Sequence, residues 1–123
     1  MADTVFRNVR SVAVPVTDQD RTRSVFEQLG LTVSMDAELQ PGFRWIEMVL
    51  PGGEASIALV ATGPDLPTGI DTGIRLATDD ARRAHARVTG VGLEAGELLD
   101  WPGVPLMFSF VDPDGNRFYV SET

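Results

Sequence analysis

The sequence predicts an α+β fold: a single domain, residues 1–123, made of two β-α-β-β-β modules at about 5–61 and 69–123. Three observations predict it. The length of 123 residues supports one core but not two independent ones. Each half passes from strand-like to helix-like apolar spacing and back, in the same order. The halves also resemble each other: VPVTDQDRTRSVFEQLGLTV and IRLATDDARRAHARVTGVGLEA both run strand, cap, helix, glycine, strand, about 60 residues apart. Thr17-Asp18 faces Thr78-Asp79 and Gly30 faces Gly90. Two copies make a duplication rather than a solenoid.

The elements follow in order. Residues 9–16 are β-branched and apolar, as in a buried strand. Thr17 or Asp18 can cap the next helix, whose Val25, Phe26 and Leu29 share one face, and Gly30 stops it. Strands are expected at 31–36, 43–50 and 55–61, the last two joined by Pro51-Gly52-Gly53-Glu54. Residues 61–73, rich in Gly, Pro, Asp and Thr, form the junction. The second module repeats the scheme, with a strand at 73–77, a helix at 79–89 and strands at 91–95, 104–111 and 116–122.

Composition removes several function classes. A net charge of −8, with arginine as the only basic side chain besides His85, repels phosphate backbones, so no nucleic-acid partner is expected. Arg82, Arg83 and Arg87 read as a solvated helix face. Apolar runs fall far short of the ~20 residues of a membrane span, and the first residues lack a secretory pattern. Without cysteine there is no disulfide, thiolate metal site or thiol nucleophile, and a cytoplasmic location is expected.

With the repeat, "WPG" and above all "FVDPDGNRFYV" in its place after a Phe-rich strand, the chain resembles the vicinal oxygen chelate superfamily of glyoxalases, bleomycin-resistance proteins and extradiol dioxygenases. The resemblance covers nearly the whole chain. It implies two paired modules whose curled mixed sheet forms a ligand cup, commonly within a homodimer. In metal-dependent members, four strand positions supply His, Glu or Gln to a divalent ion. Those positions carry over to Ser11, Ala58, Gly73 and Tyr119. Two lack side-chain donors, serine is a poor neutral ligand, and a phenol ionises only near ~10. Neither metal nor other cofactor is therefore expected. Asp112, Asp114 and Asn116 mimic the start of a calcium loop, but Arg117 stands where that loop needs glycine, so an acidic hairpin turn is expected.

Strand alternation from those positions sorts the faces. Pairing 50 with 55 sets Val49 against Ser56, Glu47 against Ala58 and Trp45 against Val60, with Ile46, Met48, Ile57 and Leu59 toward the helices. Phe108, Phe110, Phe118 and Val120 likewise face the core, while Met107, Ser109, Arg117 and Tyr119 point into the cup with Arg75. The candidate ligand-binding residues are therefore Trp45, Glu47, Arg75, Met107, Ser109 and Tyr119, with Trp101 on a loop at the lip. Glu47 and Arg75 could instead pair with each other. His85 is expected to be a surface or satisfied helix residue. The first functional expectation is metal-free binding of a small organic molecule. The second is an enzyme using Glu47 as a base with a burial-raised pKa, or a non-standard metal site. The third is a dimeric interaction module.

Overall fold

Asp18 and Asp80 start the two helices, each accepting a backbone N–H three residues on: Arg21 N at 3.1 Å and Arg83 N at 3.0 Å. The computed structural model, which describes residues 3–123, places them in matching modules. The first holds β1 (Ser11–Val16), α1 (Gln19–Gln28), β2 (Thr32–Gln40), β3 (Phe43–Val49) and β4 (Ser56–Ala61). The second holds β5 (Asp71–Thr78), α2 (Ala81–Gly90), β6 (Glu94–Ala95), β7 (Met107–Val111) and β8 (Arg117–Glu122). The sheet orders are β1-β4-β3-β2 and β5-β8-β7-β6, with β1 parallel to β4, β5 parallel to β8, and the other pairs antiparallel.

The structure shifts the repeat, by one residue at the cap and two at the closing glycine. Sequence similarity set Asp79 against Asp18, but the cap is Asp80, whose N–H donates to Thr78 Oγ1 at 3.2 Å. The glycines that leave each helix with positive φ are accordingly Gly30 (99°) and Gly92 (92°), and Gly90 belongs to the last turn of α2. Glu122 adds a second cap, accepting from Ala81 N at 2.9 Å.

Five strand limits also differ from expectation by two residues or more, β1 beginning at Ser11 rather than at residue 9. β2 runs on to Gln40 and turns tightly through Pro41-Gly42, with Gly42 at φ 80°. β5 begins at Asp71, β6 has only two residues, and β7 starts at Met107. Pro102 and Pro105 lack N–H groups for a ladder, so the segment before β7 turns instead, Val104 N reaching Trp101 O at 3.2 Å.

The register is the one the PGGE turn predicts: Val49 opposite Ser56, Glu47 opposite Ala58, Trp45 opposite Val60. One apolar cluster joins Ile46, Met48, Ile57 and Leu59 of the first sheet to Phe108, Phe110, Phe118 and Val120 of the second. Phe26 of α1 meets Phe118 edge-on at 5.6 Å, and Phe118 stacks on Phe110 at 5.3 Å. The helix-side faces of both sheets thus share one core, and the opposite faces turn away from it. Among the described residues no helix is long and apolar enough to cross a membrane.

The acidic turn is consumed by the backbone. Asp112 Oδ1 accepts from Asp114 N and Asn116 N, both at 2.9 Å. Asp114 accepts from Thr17 N at 3.1 Å and Thr17 Oγ1 at 2.6 Å, tying the second module to the start of α1.

Candidate functional site

On the first sheet, Trp45, Glu47 and Val49 of β3 and Ser56, Ala58 and Val60 of β4 share the face turned from the core. Glu47 is 5% exposed. Its carboxylate accepts from Ser56 Oγ at 2.7 Å, Trp45 Nε1 at 3.0 Å and Arg10 Nη2 at 3.4 Å. The Ser56 hydroxyl bond, with help from Trp45 and Arg10, outweighs burial and holds the carboxyl below its ordinary range. This corrects the expectation of a burial-raised base: the three donors stabilise the charged form. Glu47 also pairs with Arg10 rather than Arg75. Trp45 is half-buried, its ring edge-on to Phe43 at 6.1 Å.

The second sheet presents Met107, Ser109, Arg117 and Tyr119 on its corresponding face, Ser109 lying directly opposite Tyr119. The Tyr119 hydroxyl donates to Asp71 Oδ2 at 2.5 Å. Arg75, opposite Tyr119 on β5, lays its guanidinium carbon 4.2 Å from the ring centroid and donates from Nη1 to Gly73 O at 2.9 Å. Arg117 Nη1 donates to Ser109 Oγ at 3.1 Å. The bond to Asp71 pushes the Tyr119 phenol up and draws the Asp71 carboxyl down.

The sequence candidates therefore fall into two patches, one per sheet, and among the described residues no hydrogen bond or ion pair joins Trp45 or Glu47 to the second. Trp101 stands on its own loop, 56% exposed. His85 accepts no site role here: its Nε2 lies 2.9 Å from Gly96 O and its ring packs edge-on against Phe108 at 5.0 Å. Asp71 lies outside the strand expected at 73–77; the alternation of Gly73 and Arg75, extended back by two residues, reaches it. Arg10 falls within the strand expected at 9–16, where alternation sets it on the face opposite Ser11; in the structure it precedes β1 and reaches Glu47.

A model described as the Glyoxalase/Bleomycin resistance protein/Dioxygenase superfamily matches residues 8–120. The chain belongs to this superfamily. Among solved structures it is similar to TnmS3, described as an antibiotic binding protein, from Streptomyces sp. CB03234: 27% identity and TM-score 0.85 over 98% of each chain. A superfamily member from Sphaerobacter thermophilus DSM 20745 is 28% identical, with TM-score 0.89 over 98% of this chain and 100% of that one. A glyoxalase/bleomycin resistance protein from Streptomyces sp. CB03234 is also 28% identical, with TM-score 0.78 over 93% of this chain and 99% of that one. Among curated proteins no significant match was found.

The superfamily's metal positions can now be tested on geometry. Ser11 and Ala58 lie on the first sheet's outer face, Ser11 opposite Ser56, and Ala58 is fully buried against Glu47. Gly73 sits at φ 70° in a break of the β5–β8 register, a backbone state that disfavours any side chain. The Tyr119 hydroxyl is committed to Asp71 and kept neutral by it. These four residues do not fit a divalent ion. Among the described residues no three His, Cys, Asp or Glu side chains gather into an alternative set.

Proposed function

We propose that this chain binds a small, flat organic molecule against its outer sheet faces, without a metal and without turning it over. The observation that carries this reading is the Tyr119 site. Where a metal-dependent relative would place a ligand, this chain has an aromatic ring with a guanidinium on its face, and the neighbouring position is a glycine in a left-handed conformation. Aromatic surface with a few fixed polar groups suits a small-molecule site. The likeness to an antibiotic binding protein at 27% identity supports the same class of ligand.

A homodimer is part of the proposal. Phe43 and Leu39 at the β2–β3 hairpin, Trp101 and Val104 before β7, and Val5, Phe6 and Val9 ahead of β1 are all exposed. Each lies outside the shared core, and a second copy laid against the sheet faces would cover them and wall in the ligand. A cytoplasmic location accords with the absence of cysteine. Catalysis by Glu47 has less support, since its carboxylate already accepts from three donors and is a weakened base.

Equilibrium dialysis of the purified protein against a panel of aromatic compounds, combined with elemental analysis, tests the reading. Binding tighter than about 1 mM, some 4 kcal/mol, in metal-free protein is expected. Stoichiometric zinc, nickel, manganese or iron, or no binding across the panel, would overturn it.

A further inference from the structure

Arg75 and Arg117 flank Tyr119 on the second sheet, Arg75 directly opposite it on β5 and Arg117 two residues before it on β8. Each guanidinium is held by a neutral acceptor: Arg75 by Gly73 O at 2.9 Å, Arg117 by Ser109 Oγ at 3.1 Å. Among the described residues neither lies within 4.0 Å of a carboxylate, whereas Arg23 and Arg44 both close on Asp36, at 2.6 and 2.7 Å. The carboxylate of this face, Asp71, is occupied by neutral donors: Gly73 N at 3.0 Å on one oxygen and the Tyr119 hydroxyl at 2.5 Å on the other. Two exposed cations thus stand beside an aromatic ring, and among the described residues each spends a single N–H.

From this geometry we infer that the second sheet selects a planar aromatic carboxylate, a choice of ligand class that rests on the small-molecule reading above. The arene would lie on the face of the Arg75 guanidinium turned away from Tyr119, extending the stack. The carboxylate would take two parallel N–H bonds from Arg117, the fork geometry that guanidinium supplies and ammonium does not. The protein's net charge of −8 opposes an anion at long range. Screening within about 8 Å at physiological ionic strength leaves the local balance to decide, two arginines against the single Asp71 carboxylate, whose charge both of them already favour.

Three naphthalene probes of the same shape separate the possibilities by equilibrium dialysis of the full chain: 2-naphthoate, neutral 2-naphthamide and cationic 2-naphthylmethylammonium. The carboxylate is expected to bind about tenfold tighter than the amide, with the ammonium weakest, and the gap should shrink as salt is raised. Arg117→Gln should weaken naphthoate by about tenfold while changing naphthamide by less than about twofold, whereas Arg75→Gln, which also removes the plate under the arene, should weaken both, naphthoate the more. Arg75→Lys, which keeps the charge but loses the plate, should fall between. Both arginines are exposed, so circular dichroism should show the variants folded. Equal or tighter binding of the amide, or naphthoate affinity unmoved by the arginine variants, would overturn the anion preference and leave the small-molecule reading standing. Failure of every probe, and of the wider aromatic panel, would overturn both.

Discussion

Asn116 Nδ2 donates to the Pro15 carbonyl at 2.8 Å, joining residues 101 positions apart. The same fully buried side chain donates to Asp112 Oδ2 at 2.9 Å and accepts from Gly69 N at 2.9 Å and Ile70 N at 3.2 Å. One amide thus connects β1, the segment between the modules, and the turn before β8. This explains why the DPDGN turn ends in asparagine: two donors and two acceptors are needed on one planar group.

Asn116→Ala is expected to cost about 3 kcal/mol in urea unfolding, because it strands two backbone N–H groups and the Pro15 carbonyl. Asn116→Asp should cost at least as much at neutral pH, since it sets a second carboxylate oxygen against Asp112 and Pro15. Acidification should narrow its deficit, as one carboxyl of the pair takes up a proton. A stability for either variant equal to that of the parent would contradict the role assigned to this amide.

Glu47 yields a pH signature. Its folded-state carboxyl is held below the ordinary value of 4.5 by the Ser56, Trp45 and Arg10 donors, so the ionised form favours folding. That contribution is complete above the ordinary value and is lost as pH falls through the lower folded one. Glu47→Ala should destabilise by about 2 kcal/mol at pH 7, leaving the Trp45 N–H without its acceptor. Glu47→Gln should cost about half as much, because the Ser56 hydroxyl can turn to accept from the new amide. Thermal melts from pH 7 to pH 3 should bring parent and Glu47→Gln together; a gap that widens on acidification would refute this ordering.

Thr22 predicts a gain. Its Oγ1 is buried on α1 and finds no hydrogen-bond partner among the described residues. Thr22→Val removes that orphan while keeping the shape, and should be neutral or stabilise by up to about 1 kcal/mol in denaturant titration. A loss above about 1 kcal/mol would show that the hydroxyl is satisfied in solution.

The fold was legible because its signals are local and redundant. Ile46, Met48, Ile57, Leu59, Phe108, Phe110, Phe118 and Val120 follow from strand alternation once the resemblance marks the outward face, and the PGGE turn sets the β3–β4 register. Boundaries failed where two adjacent residues could serve, as with Asp79 and Asp80 at one cap, or where prolines cut short a strand that composition favours. The candidate site was legible only as a set of faces. Alternation places Trp45 and Tyr119 outward but says nothing about partners drawn from distant segments. The Arg10 bond to Glu47 and the Asp71 bond to Tyr119 both depend on residues at or before the start of a strand, where pattern is weakest.

The most direct test of ligand binding on the sheet faces is amide and tryptophan-indole NMR during titration of isotopically labelled, metal-free protein with the aromatic panel. Binding there predicts shifts concentrated at Arg75, Ser109, Arg117 and Tyr119 or at the Trp45 indole N–H, with the buried core of Phe26 and Phe118 undisturbed. Perturbations confined to surfaces away from both patches, or none at millimolar compound, would contradict it.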